Sequence, residues 1–453
     1  MTHMLIIGGS DAGISAALRI RELDAKVRVT VAAADAYPNF SICGLPFYLS
    51  GEVADWRTLA HRTSAEIESH GIDLLLDHRA ERIDAGNKSV HFVSSTGQSA
   101  TVRYDQLLIG TGAESVRPSI PGMDLPGVFC LRWMADSFAV KDFLDRGAPR
   151  RAVIIGGGYI GLEMADALTV RGMAVTLVEF APEVLTTLDP ELGRLIRAEL
   201  AGKGVTVHVG TAVQGIEQQD GALVVATAAG ASIAADMVLV AVGARPATDL
   251  ARTAGVGLGE GGAIAVDRTM ATGVPAIWAA GDCVHTWHRL LQRHVYMPLG
   301  TTAHKQGRVA GENMLGGQRE FAGSLGTQVV KVCDQVAART GLRDTGAAAA
   351  GFEPLTVALT TWDHKVYYPG ATQMHLRVTG CRQTGRLLGA QIVGHRSAEV
   401  SKRIDIFAAA LYHGMQVADM SHLDLSYTPP LSSPFDPVQM AAMQWCARPP
   451  SYA

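Results

Sequence analysis

The chain has 453 residues, 48% of them hydrophobic, with 49 glycines, enough for two or three domain cores. Its 43 acidic and 39 basic residues give a formal charge of −4, a near balance that argues against nucleic acid or an anionic membrane as the main partner. No apolar run approaches the roughly 18 residues of a membrane span, and no charged leader precedes the first apolar stretch, so the expected location is cytoplasmic.

Residues 4–7, 8–13, 14–23 and 27–31 read as strand, tight turn, helix and strand. That layout suits a dinucleotide: Gly8, Gly9 and Gly13 let the backbone approach a pyrophosphate at a helix N-terminus. Ser10 stands where a middle glycine is usual, and Asp35 follows the second strand as the acid for a ribose hydroxyl. Next comes Asn39-Phe40-Ser41-Ile42-Cys43-Gly44-Leu45-Pro46-Phe47-Tyr48, which sets a cysteine just ahead of a helix-compatible run. A thiol there sees the positive end of the dipole and unpaired backbone N–H groups, which lower its pKa. Cys43 is therefore the candidate reacting sulfur. Asp11 lies inside the first glycine turn, and because a pyrophosphate repels an acid it is expected to point toward Cys43, as a proton relay or as a solvated turn residue.

Leu107-Leu108-Ile109-Gly110-Thr111-Gly112-Ala113 is an apolar strand breaking at glycine, and residues 237–240 lead into a similar break at Gly243; both read as crossings between domains. Between them lies a second nucleotide unit. Residues 152–155 form a strand, Gly156-Gly157-Gly158-Tyr159-Ile160-Gly161 supplies all three glycines, a helix runs through Leu168, and strand 175–178 ends on Glu179. Strand, G-x-G-x-x-G, helix, strand and terminal acid mark a dinucleotide site. A carboxylate at 179 accepts from a free ribose 2′-hydroxyl and repels a 2′-phosphate, and Phe180-Ala181-Pro182 offers no cation, so NADH is expected over NADPH. Ile277-Trp278-Ala279-Ala280-Gly281-Asp282 ends in an acid suited to the polyol hydroxyls of a flavin or to a helix N-cap. Pro298 to Arg308 reads as a helix start, and from Gly323 strands alternate with loops: 329–332, 355–360, 375–378 and 387–393, then an amphipathic stretch 397–412 and the proline-rich 425–430. The six cysteines, at 43, 130, 283, 333, 381 and 446, show no C-x-x-C pair and no zinc spacing; no metal is expected, and those other than Cys43 read as structural.

Together these motifs resemble the flavin-dependent pyridine nucleotide–disulfide oxidoreductases, in the single-cysteine branch of coenzyme A disulfide reductases, NADH oxidases and persulfide reductases. The branch pattern S-F-A-N-C-G-L-P-Y-Y is matched at Phe40, Cys43, Gly44, Leu45, Pro46 and Tyr48, and Tyr48 stands where two-cysteine members carry their second cysteine. The resemblance implies an α/β fold with two Rossmann-like domains and a C-terminal α+β dimerisation domain: FAD-binding residues 1–114 and 245–322, NAD(P)H-binding residues 115–244, and dimerisation residues 323–453. It implies FAD on the first unit, with Asp282 on the ribitol and Thr111, Gly112, Gly243, Thr302 and Ala303 among the cofactor contacts. It further implies NAD(P)H on the second unit, with Tyr159 as a gate and Glu163 near the flavin. His304 stands where the family usually has asparagine, either sensing the flavin's charge or lining a helix start.

The resemblance also implies a homodimer whose active site the partner completes with two tyrosines, here Tyr427 and one of Tyr367 or Tyr368, chemically suited to protonate a departing sulfur. Ser41 and Ile42 flank the sulfur, and Arg19 and Arg21 are the residues left on the first helix for coenzyme A phosphates. No rhodanese-like extension is expected. The leading reading is a reductase passing electrons from NADH through FAD to Cys43, which reduces a small disulfide or persulfide, coenzyme A disulfide first. An NADH oxidase working through a cysteine sulfenic acid, and a redox-sensing flavoprotein without turnover, are the alternatives.

Overall fold

The computed structural model describes residues 2–448, and the ends of the expected first and last domains, residues 1 and 449–453, lie outside them. Among the described residues two compact units result: one built from residues 2–116, 132–138 and 244–324, the other from 117–131, 139–243 and 325–448. The chain passes between them at 116/117, 131/132, 138/139, 243/244 and 324/325, and Gly112 and Gly243 both take positive φ, 71° and 119°.

The first unit is centred on a five-stranded parallel sheet in the order Ile277–Ala279, Gln106–Ile109, His3–Ile7, Arg28–Ala32, Asp73–Leu75. Its strands are continuous apolar runs because both faces are covered, and Leu5, Ile6, Leu107, Leu108 and Ile109 are fully buried. On one face the helix Asp11–Leu23 packs on Gly300–Met314 so closely that a Cβ at Gly307 would stand 2.2 Å from the Ala12 carbonyl oxygen. The first helix begins three residues earlier than the apolar pattern suggests. Asp11 is thus helical and not part of the turn, because Ser10 already has extended backbone and takes the N-cap position.

The second unit repeats the design with the order Thr206–His208, Ala174–Val178, Arg151–Ile155, Met237–Val240, Val128–Cys130, all parallel. It also holds an antiparallel five-stranded sheet: Gln328–Val332, Gln335–Gly341, Leu387–His395, Gln373–Cys381, Pro354–Trp362. The helices Val400–His413 and Pro437–Cys446 belong to the same part of the chain. The strand Gln335–Gly341 has no counterpart among the expected elements: its run Gln-Val-Ala-Ala-Arg-Thr-Gly is short of large apolar residues, and its neighbours supply the apolar contacts that make it a strand.

Candidate functional site

In the first unit, Gly8 takes φ 115°, and a Cβ at Gly13 would stand 1.9 Å from the Gly8 carbonyl oxygen, so the turn closes only without side chains. The second unit repeats this contact between Gly161 and Gly156, again at 1.9 Å. Gly9 is tied forward: its carbonyl accepts from the Asn39 N–H at 2.6 Å, which joins the nucleotide turn to the segment leading to Cys43.

That segment is held from several sides. Asn39 is buried with φ 58°, Ser41 N–H donates to the Leu59 carbonyl at 2.8 Å, and His61 N–H donates to the Asn39 carbonyl at 2.9 Å. Phe40 belongs to an aromatic cluster with Tyr37, Trp56 and Phe138, whose ring centroids lie 5.1–5.9 Å apart. Ile42, Cys43 and Gly44 form a 3-10 turn that runs straight into the helix Leu45–Ser50, so the thiol stands at a helix start as expected. Cys43 is exposed; of the other cysteines, Cys283, Cys333 and Cys381 are buried, Cys130 is half-buried and Cys446 is exposed, so Cys446 is not the packed structural residue expected of it.

Asp35 is half-buried beyond the second strand and accepts from the Tyr37 N–H at 3.0 Å; burial raises its carboxyl, opposed by that hydrogen bond. Thr111 spends its hydroxyl on the Ala247 carbonyl at 2.6 Å, and Thr302 and Ala303 are buried at the start of Gly300–Met314. Asp282 is paired with Arg132 at 2.7 Å, both largely buried. At this pair, Arg132 Nε and the Tyr296 hydroxyl are buried with no hydrogen-bond partner among the described residues, and Asp282 is close enough to help raise the Tyr296 phenol, which burial raises most. A cradle of glycines beside an acid, a guanidinium and orphaned polar atoms fits a flavin dinucleotide. Arg132 and Tyr296 were not legible in the sequence, because only the fold brings them to Asp282.

In the second unit Glu179 accepts from the N–H groups of Gly157 and Ala181, which sets its carboxylate against the glycine turn. Tyr159 donates to Gln328 at 2.6 Å and lies 3.1 Å from the Thr187 hydroxyl; burial raises its phenol. Glu163 is pushed up to about 7 by burial, against the pull of Lys331 and with a further push from Asp166. Lys331 is ion-paired with Asp166 at 2.7 Å. Of the two expected tyrosine pairings, the fold brings Tyr367 to Tyr427: desolvation first, then a hydrogen bond to Tyr427, raises the Tyr367 phenol. Tyr368 turns to the His364 ring instead, 5.9 Å away.

Two expected substrate contacts are engaged within the protein. Arg19 donates to Glu312 at 2.7 Å and to Glu22 at 3.0 Å. Arg21 spends its guanidinium on the carbonyls of His70, Val27 and Ala25 at 2.8–3.0 Å. Asp11 turns to His304, Oδ1 to Nε2 at 3.4 Å, where the sequence suggested Cys43. Among the described residues no group of three or more histidines, cysteines or acids could hold a metal ion, and no helix is long and apolar enough to cross a membrane.

Two glycine-turn parallel sheets and an exposed helix-start cysteine define a pyridine nucleotide–dependent flavin oxidoreductase. The family model for pyridine nucleotide-disulphide oxidoreductases matches residues 2–307, and the model for the dimerisation domain of the same proteins matches 327–437; the chain belongs to this family. It is 35% identical to a coenzyme A–dependent NAD(P)H sulfur oxidoreductase of Pyrococcus abyssi over 97% of both chains. Among solved structures it resembles the reduced CoADR-RHD of Bacillus anthracis, at 31% identity and a TM-score of 0.95 over 98% of this chain and 80% of that one. It also resembles a NAD-dependent persulfide reductase from A. fulgidus, at 37% identity and a TM-score of 0.93 over 98% of this chain and 83% of that one. FAD and NAD(P)H are the typical cofactors of the family.

Proposed function

We propose that this chain is a cytoplasmic, homodimeric NADH-dependent reductase of a small disulfide or persulfide, with a coenzyme A disulfide or persulfide as its leading substrate. The observation that carries the reading is Cys43, an exposed thiol at a helix start in a segment hydrogen-bonded to the first glycine turn. The likeness to a coenzyme A–dependent sulfur oxidoreductase and to a persulfide reductase supports the substrate class. In this reading residues 1–114 and 245–322 hold FAD through Gly8, Gly9, Gly13, Asp35 and Asp282, residues 115–244 hold NADH, and residues 323–453 form the dimer.

When bound, the flavin accepts hydride from the nicotinamide and supplies two electrons to the sulfur centre. The protein's own part is to bind, orient and ionise. Glu179 accepts from the ribose 2′-hydroxyl of NADH and repels a 2′-phosphate, giving NADH its preference. Cys43 attacks as a thiolate, because the helix start favours the charged sulfur. Its sulfur bonds to one sulfur of the substrate and the other departs as a thiolate, which a tyrosine of the Tyr367 and Tyr427 pair protonates. Arg19 and Arg21 are engaged by Glu312, Glu22 and backbone carbonyls, so the coenzyme's phosphates are met by other groups or by water.

The test is anaerobic NADH consumption with coenzyme A disulfide and with its persulfide, beside the same assay in air alone, and intact mass of the purified protein before and after mild reduction. Turnover with either sulfur substrate and a reducible adduct on Cys43, both lost in Cys43→Ser, are expected. NADH loss only in air with an oxygenated Cys43 would move the function to an oxidase, and flavin that NADH reduces without turnover of any acceptor would leave a sensor.

A further inference from the structure

Asp11 and His304, two titratable side chains in the same unit as Cys43, have no role in the steps above. Asp11 opens the helix Asp11–Leu23, His304 stands in the first turns of Gly300–Met314, and Asp11 Oδ1 lies 3.4 Å from His304 Nε2. The other ring nitrogen, Nδ1, lies 2.8 Å from Ser15 Oγ. Asp11 and Ser15 are four residues apart on one helix, so a single helix face presents a carboxylate and a hydroxyl to the two nitrogens of one imidazole. The ring of His61 meets that of His304 edge-on, with centroids 6.4 Å apart. Through the bonds from His61 N–H to the Asn39 carbonyl and from Ser41 N–H to the Leu59 carbonyl, the segment bearing His61 is laddered to the one bearing Cys43.

Oxygens stand at both ring nitrogens of His304, Ser15 Oγ at Nδ1 and Asp11 Oδ1 at Nε2. The charged groups facing Asp11 come from every side: burial raises its carboxyl most, His304 and His61 lower it, Asp282 raises it and Arg132 lowers it. We propose that Asp11 and His304 form a proton-holding couple that serves Cys43, with Asp11 as the positioning residue and His304 as the group that carries the proton. The proposal rests on the disulfide or persulfide reading above. A proton held near a thiol favours its thiolate. In the exchange step a bond forms between the Cys43 sulfur and one substrate sulfur as the substrate S–S bond breaks. The Cys43 sulfur is oxidised to the disulfide level, and the departing sulfur is reduced and leaves as the thiolate that the tyrosine pair protonates; the couple keeps its proton and acts on the charge of Cys43.

The experiment is alkylation of Cys43 by iodoacetamide from pH 5 to 9 in the flavin-loaded protein after mild thiol reduction, read by mass at the Cys43 peptide. Asp11→Asn and His304→Asn should each raise the apparent pKa of Cys43 by about one unit, seen as alkylation about tenfold slower on the acidic limb with an unchanged alkaline plateau. The double variant should be no slower than either single one, as expected of residues acting as one unit. Asp11→Glu should restore wild-type reactivity, and Ser15→Ala should give a smaller shift in the same direction. An acid acting alone near a thiol holds its pKa up, so faster or unchanged alkylation in Asp11→Asn would overturn the couple, as would additive effects in the double variant. Retained flavin absorbance and thermal midpoint identify variants that fold. The assay uses no disulfide substrate, so a wrong substrate class and a wrong proton couple give separate results.

Discussion

Glu163 illustrates how a single buried side chain makes stability depend on pH. Its carboxyl is pushed up from 4.5 to about 7, first by burial, with Lys331 pulling it down and Asp166 pushing it further up. The folded protein therefore binds a proton that the unfolded chain releases between those two values, and stability falls as pH rises through that window. Above about pH 7 the cost of the buried charge is fully present. Glu163→Gln removes that cost, so the variant should match the parent near pH 4.5 and exceed it by about 2–3 kcal/mol at pH 8. Urea unfolding at the two pH values checks this, and a stability difference independent of pH would refute the assignment.

At the scale of elements, the junction between the helix Pro190–Gly202 and the antiparallel sheet rests on one acid. Asp189, 4% exposed, stands at the helix N-cap. Its carboxylate accepts from Arg377 Nε and from Gln391 Nε2, and its N–H donates to Gln391 Oε1. Arg377 and Gln391 lie on paired strands, register partners of each other, so the three residues bind helix and sheet together. Asp189→Ala leaves a largely buried guanidinium with only Glu191, 3.8 Å away, as counter-charge among the described residues and should cost about 3–5 kcal/mol, read as an earlier denaturant midpoint. Asp189→Asn, which keeps one acceptor oxygen for Arg377 or Gln391, should recover part of the loss. None of this was visible in the chain order, where Asp189 and Gln391 are far apart.

At the scale of the whole molecule, the segment with Val366 (61% exposed) and Tyr367 (72%) lies beside the segment with Leu431 (64%) and Phe435 (53%). Lys365 N–H donates to the Pro429 carbonyl, and Arg403 reaches the carbonyls of both Asp363 and Leu431, so the two segments share one support. Exposed apolar side chains gathered within the matched dimerisation model suit burial against a second copy. The protein should elute with the mass of two chains, and Leu431→Asp with Phe435→Asp should give single chains that keep flavin and lose disulfide turnover. Light scattering on the eluting peak checks the mass, and a variant that stays paired would place the interface elsewhere.

The sequence by itself determined the family, the fold class, both glycine turns and the helix-start cysteine, because each rests on local pattern: a strand breaking at glycine, an acid after a second strand, a thiol ahead of Leu45-Pro46. The helix boundary at Asp11 and the strand Gln335–Gly341 lay beyond it, since a cap and small residues acquire their meaning from neighbours. Which tyrosine meets Tyr427, what engages Arg19 and Arg21, and where Asp11 turns were decided only by tertiary structure. Each is a contact between residues remote in the chain: Glu312 for Arg19, His70 for Arg21, His304 for Asp11. Local spacing places a charge on a helix face, but the helix packed against that face decides whether the charge meets a substrate or another side chain.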